Sequence, residues 1–106
     1  MSDVLKRLDA TIAARKTAGD AAASHTAALL AKGPLKCAEK FGEEAVEAVI
    51  AAAAEDADKL TDECADALYH MAVMLAARDL SLADVLAKLE AREGVSGVAE
   101  KASRDG

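Results

Sequence analysis

Four acids at matched spacing are the residues of this chain best suited to chemistry. Glu44-x-x-Glu47 is followed, after fifteen residues, by Glu63-x-x-Asp66. Each pair lies in a stretch of helical periodicity, where residues three apart share one side of a helix at about 100° per residue. Two helices that present such pairs to one another can close around a divalent cation. Carboxylate oxygens are the hard ligands that Mg²⁺ prefers, and Mg²⁺ commonly bridges protein acids to substrate phosphates. The pattern points to metal-assisted phosphate chemistry, with Glu44, Glu47, Glu63 and Asp66 as the candidate cation-binding acids.

The surroundings of these acids bear on that reading. Lys40, Glu43, Glu44 and Glu47 share an arc of about 100° on their helix. A solvated acidic face opposite the core is the plainer explanation. Against it, Glu43 and Glu44 have no basic residue at 47 or 48 to offset their repulsion, and the arc runs on into Ala51 and Ala54, which would let another helix come close. On the second helix Glu63, Asp66 and His70 share one arc that Val73 and Met74 extend. A stripe that turns from acidic to apolar is not expected to face water throughout, and buried carboxylates need a counter-charge. His70 beside these acids could hydrogen-bond a ligand, whereas Tyr69 reads as a packed side chain with its hydroxyl satisfied. Lys32, Lys36 and Lys40 recur every four residues next to the acids. Solvation is their default, and holding phosphates as point charges is the functional alternative.

The elements that must position these residues read almost wholly as helix. Residues 2–16 carry Val4, Leu5, Leu8 and Ile12 at helical spacing, and Gly19-Asp20 interrupts the pattern. Ser24-His25-Thr26 could open a short helix that Gly33 stops. Pro34 suits the first turn of the next helix, where its missing N–H costs little. Residues 34–54 are expected to bury Leu35, Ala38, Phe41, Val46 and Val49 on one face. After a turn at 55–58, a second long helix to residue 77 has Leu60, Cys64, Leu68, Met71 and Leu75 as its apolar stripe. Ser81 reads as an N-cap with Asp84 as an acidic capping-box partner, opening a helix over 82–92. Gly94 and Gly97 end it, and residues 98–106 read as a short helix or a tail. Gly42, inside the first long helix, costs about 1 kcal/mol relative to Ala, so close approach of a ligand or helix is its expected reason.

Composition sets limits on the whole. One domain of 106 residues with 28 alanines, one Phe, one Tyr and no Trp has few bulky side chains for a core. Such a chain gains from self-association. Val73 and Met74, expected to be wet in an isolated subunit, would be covered in a homodimer. A net charge of −6 argues against a nucleic-acid surface, which needs a basic footprint. Cys37 and Cys64 make no disulfide framework and are expected to be buried reduced thiols. No segment reads as a signal peptide or a membrane span, so the expectation is a soluble, cytoplasmic protein.

The spaced pairs resemble the signature of the MazG-like all-α nucleoside triphosphate pyrophosphatases. Within that superfamily the chain is most similar to the phosphoribosyl-ATP pyrophosphatase family of histidine biosynthesis. The resemblance is carried by residues 24–33 (SHTAALLAKG), 39–53 (EKFGEEAVEAVIAAA), 63–75 (ECADALYHMAVML), 80–92 (LSLADVLAKLEAR) and 96–104 (SGVAEKASR), which together span about three-quarters of the chain. The acid spacing alone specifies the superfamily; Lys40-Phe41-Gly42-Glu43-Glu44 with Asp66-Ala67-Leu68-Tyr69-His70 is the narrower signal. Two positions depart from the family pattern: His25 stands where Tyr or Trp is frequent, and Ala67 replaces a frequent Leu.

The resemblance implies an all-α helix bundle, assembled as a homodimer, that hydrolyses phosphoribosyl-ATP between its α and β phosphates. The products are phosphoribosyl-AMP and pyrophosphate, the second step of histidine biosynthesis. It implies Glu44, Glu47, Glu63 and Asp66 as Mg²⁺ ligands, with Glu43, Glu44 or Glu47 accepting the proton of the attacking water. Lys40 would contact phosphate. Lys32, Lys36 and His70, with Lys101 and Arg104 of a neighbouring subunit's tail, complete the expected substrate contacts. Relatives are often fused to a cyclohydrolase domain; this sequence lacks one and is expected to stop at phosphoribosyl-AMP. Two rivals stand beside this reading: a house-cleaning pyrophosphatase using the same acids on other nucleotides, and a non-enzymatic helical dimerisation module.

Overall fold

Each helix starts where the sequence supplies a cap. The computed structural model describes residues 2–94, which form α1 (Asp3–Ala18), α2 (His25–Ala31), α3 (Pro34–Ala54), α4 (Ala57–Ala77) and α5 (Leu82–Arg92). Ser2 and Ser24 accept the N–H groups of Leu5 and Ala27 at 3.3 and 3.2 Å. Asp56 accepts that of Lys59 at 2.8 Å. Ser81 and Asp84 form the expected capping box, with the Ser81 N–H donating to Asp84 Oδ2 at 2.9 Å. α3 needs no such cap. Gly33, at φ 95°, makes a turn that a β-carbon would strain, and Pro34 occupies the first helical turn.

Glu55 and Asp56 alone join α3 to α4, which fold back on each other in the most extensive helix pair of the structure. α1 and α2 pack against the C-terminal half of α4, and α1 carries α5. The core gathers at that end: Ile12, Cys37, Ala72, Val73 and Leu82 are buried, ringed by Leu5, Leu8, Leu29, Leu30, Met71 and Leu75. Two polar ties hold the layers. The Asp9 carboxylate accepts the N–H groups of Leu82 and Ala83 at 2.9 and 3.2 Å, supplying α5 with acceptors that Ser81 does not provide. Lys16 donates to the Ala76 carbonyl at the end of α4 and pairs with Asp79, both at 2.6 Å.

Several expectations about packing are corrected. Leu35, Val46 and Val49 are exposed (72%, 56% and 67%), not buried. α3 instead turns Cys37, Phe41, Glu44, Ala48 and Ala51 inward, because its small residues at 48 and 51 let α4 approach on the acid-bearing side. Val73 is completely buried within the single chain and is not left wet, since α4 is covered there by the other helices. Cys64 is exposed, while Cys37 is buried as expected and burial pushes its thiol up. Leu68, in the expected apolar stripe of α4, is also largely exposed. A β-carbon at Gly42 would meet nothing within 4 Å, so no group of the described residues approaches it closely.

Candidate functional site

Folding α3 onto α4 brings Glu44, Glu63 and Asp66 together. One carboxylate oxygen from each lies within 4.8 Å of the other two. Glu63 is buried, Glu44 half-buried and Asp66 exposed, so the cluster forms a rim between the helices and is open on one side. Two lysines serve it. Lys40 Nζ lies 3.2 Å from Glu44 and 3.7 Å from Glu43, and Lys59 Nζ lies 2.7 Å from Glu63. Hydrogen bonding to those acids raises both lysines above their ordinary pKa. The repulsion between Glu43 and Glu44 is therefore offset from position 40, one turn earlier, rather than from 47 or 48. Asp66 has no ion-pair partner among the described residues.

The donor set fits a hard divalent cation. Three carboxylates on two helices supply more negative charge than two lysines cancel, and the open side leaves room for water or phosphate oxygens. Opposite oxygens around octahedral Mg²⁺ are about 4.2 Å apart. Small side-chain rotations would close this group on such an ion. Glu47 does not join the three; it is exposed one turn further along α3. Glu43 is likewise exposed, on the outer side of Lys40.

A cavity of about 540 Å³ adjoins the acids, lined by residues of α2, α3 and α4. Lys40, which is paired with Glu44, and His70 line it, Lys32 belongs to the end of α2, and Ala28, Leu29 and Val73 give it apolar wall. Tyr69 and Thr26 hydrogen-bond to each other at the wall, so the Tyr69 hydroxyl is satisfied as expected. Burial pushes the His70 imidazole below its ordinary pKa, which keeps it neutral near pH 7. Its Nδ1 is buried and has no hydrogen-bond partner among the described residues. The lysine row divides: Lys32 and Lys40 line the cavity, whereas Lys36 pairs with Glu39 at 3.1 Å and does not. Lys101 and Arg104 lie outside the described residues.

Lys59, Thr26 and Leu29 were missed from sequence. Lys59 left a readable signal, standing four residues before Glu63 on one helix face. Thr26 and Leu29 left none, because their place in the cavity depends on how α2 lies against α4.

An all-helical fold whose two longest helices face each other through carboxylates is the MazG-like architecture. Residues 5–93 match the phosphoribosyl-ATP pyrophosphohydrolase family, and the chain belongs to it. It is 70% identical over 101 residues to a phosphoribosyl-ATP pyrophosphatase of Dinoroseobacter shibae, covering 95% of this chain and 98% of that one. It is 65% identical to one of Cereibacter sphaeroides, covering 95% and 97%. Against one of Rhodobacter capsulatus it is 64% identical over 100 residues, covering 94% and 96%.

Proposed function

We propose that this chain hydrolyses phosphoribosyl-ATP to phosphoribosyl-AMP and pyrophosphate, the second step of histidine biosynthesis, with all 106 residues forming one catalytic domain. The observation that carries the reading is the meeting of Glu44, Glu63 and Asp66 beside a nucleotide-sized cavity, in a chain whose relatives bear that enzyme's name.

Glu44, Glu63 and Asp66 would hold Mg²⁺, with Glu47 as a further ligand reached by rotation from the next turn. When bound, the ion neutralises phosphate charge and lowers the pKa of a coordinated water. Lys40 contacts the polyphosphate, exchanging its bond to Glu44 for one to a phosphate oxygen. Glu43, Glu44 or Glu47 accepts the proton of the water that attacks phosphorus. The neutral His70 borders the cavity beside Lys40 and orients the bound nucleotide. Lys32, in the cavity lining, binds the substrate there, and Lys36, with Lys101 and Arg104 of a neighbouring subunit, would make further contacts with the anionic substrate outside the cavity.

The working unit is a homodimer. Leu35, Ala38, Gly42, Val46, Val49 and Ile50 fall in one arc of about 120° on α3, and its large members are exposed in the single chain. Such a stripe marks an interaction surface, and the absence of a side chain at Gly42 would allow a second helix close approach. No helix of the described residues is long and apolar enough to cross a membrane, which is in keeping with work in the cytoplasm.

The test is product analysis with phosphoribosyl-ATP and ATP side by side, with and without Mg²⁺. Pyrophosphate release that needs Mg²⁺ and strongly favours phosphoribosyl-ATP is expected. Equal turnover of the two would move the assignment to a house-cleaning pyrophosphatase, and orthophosphate as sole inorganic product would contradict the reaction.

A further inference from the structure

The cavity beside the acids is lined by two lysines from different elements, and the two are in different states. On α3, Lys40 is already bonded to Glu44 and Glu43. At the end of α2, Lys32 lines the same cavity with no carboxylate partner among the described residues. Its backbone is fixed, with its N–H donating to the Leu29 carbonyl at 3.1 Å and the next N–H, of Gly33, donating to the Leu30 carbonyl at 3.1 Å. The rest of the wall combines the apolar Ala28, Leu29 and Val73 with the rings of His25, Tyr69 and His70 and the Thr26 hydroxyl.

Two lysines from different elements, with aromatic rings and apolar side chains in the same wall, suit a ligand with two separate anionic groups and a flat ring system. The reaction proposed above supplies one: its substrate carries a triphosphate at one end and, on the ribose attached to the adenine ring, a second phosphate at the other. The triphosphate belongs at the carboxylate cluster, where a cation would hold it. A chain of net charge −6 needs a local cation wherever a further phosphate is to rest. About 540 Å³ is more room than a polyphosphate alone requires and falls within the range of nucleotide-sized sites.

We infer that Lys32 anchors the phosphate of the substrate's second ribose and is thereby a specificity-determining residue, separating phosphoribosyl-ATP from ATP. The inference rests on the proposed reaction. It goes beyond that reading by dividing the lysines that line the cavity: Lys40 serves the phosphates being cleaved and Lys32 the phosphate that is not, while Lys36, paired with Glu39, lies outside the cavity lining. ATP has no group to offer Lys32, so Lys32 favours the larger substrate alone. Because Lys32 is exposed at the end of α2, its replacement leaves the core untouched.

The experiment compares wild type, Lys32→Met and Lys32→Arg, measuring pyrophosphate release from phosphoribosyl-ATP and from ATP. Phosphoribosyl-AMP and AMP serve as competing inhibitors. In Lys32→Met the ratio of kcat/KM for phosphoribosyl-ATP over ATP should fall by about tenfold, the size of one charge-assisted hydrogen bond lost. The fall should come mainly through KM, and the advantage of phosphoribosyl-AMP over AMP as inhibitor should shrink in step. Lys32→Arg should recover most of both. A Lys32→Met enzyme that keeps the wild-type ratio and inhibitor preference overturns the inference while leaving the reaction intact. A wild-type enzyme that cleaves ATP as well as phosphoribosyl-ATP overturns the proposed reaction itself, and this inference with it.

Discussion

Replacing Asp66 by Asn probes the cation site through the one acid of the three that has no lysine partner among the described residues. Glu44 is paired with Lys40 and Glu63 with Lys59, while Asp66 is exposed and adds negative charge within 4.8 Å of both. The change is nearly isosteric, so packing is retained. Two unit charges at that separation repel by about 1 kcal/mol in water and by about 3.5 kcal/mol at an effective dielectric constant of about 20. The lysines offset much of this, leaving a relief of about 1 kcal/mol. For a domain of this size that raises Tm by about 4–8 °C. Mg²⁺ at a hundred times its Kd should stabilise the wild type by about 2.7 kcal/mol, and this gain should largely disappear in the variant. The assay is thermal unfolding by circular dichroism at fixed protein concentration, in EDTA and across a Mg²⁺ series, with pyrophosphate release measured alongside. Asp66→Asn should melt at or above the wild-type temperature in EDTA, lose the Mg²⁺ shift and lose activity. A variant that melts clearly lower in EDTA, or keeps the full Mg²⁺ shift, refutes the reasoning.

Glu47→Ala should leave folding unchanged and reduce Mg²⁺-dependent turnover by at least about tenfold, as for loss of an ionic contact of some 1.4 kcal/mol; near-normal activity would remove Glu47 from the site. Asp9→Ala leaves two N–H groups of α5 without their acceptor and should cost about 2 kcal/mol in urea unfolding, with Asp9→Asn intermediate. The wild type should scatter light at micromolar concentration as about twice its 10.9 kDa chain mass, and Val46→Glu with Val49→Glu should bring it to one; an unchanged mass would exclude the α3 stripe as the dimer surface. Lys16, through its hydrogen bond and then its charge, holds the Asp79 carboxyl below its ordinary 3.8. The stability this contributes is present above that value and is lost as pH falls through the lowered one. Lys16→Met should therefore flatten the drop in urea midpoint below about pH 4, and an unaltered profile would show the pair to be inert.

The helices were legible because their signals are local. Ser81 with Asp84, Pro34 after Gly33, and Ser24 before α2 act within one turn of the chain. The acids were legible as two pairs, since three-residue spacing puts both members of a pair on one face. Which members would meet was not. Glu44 reaches Glu63 and Asp66, whereas Glu47, equally spaced in sequence, stays outside because it lies at the edge of the arc that α4 covers. The counter-charge of Lys59 was readable at four residues' distance and overlooked, while the cavity wall of Thr26 and Leu29 arises only from the docking of α2.

By itself, then, the sequence determined the helices, their ends, the acids available for chemistry and the residue blocks that mark the family. Each of these depends on contacts within a turn or on residue identity. Tertiary structure alone decided that the apolar face of α3 turns outward while its acidic face meets α4. Hydrophobic burial is non-directional, so a helix with two usable faces takes its orientation from its partners. Here Ala48 and Ala51 admit α4 on the acidic side, Val73 finds cover within one chain, and Leu35, Val46 and Val49 remain exposed.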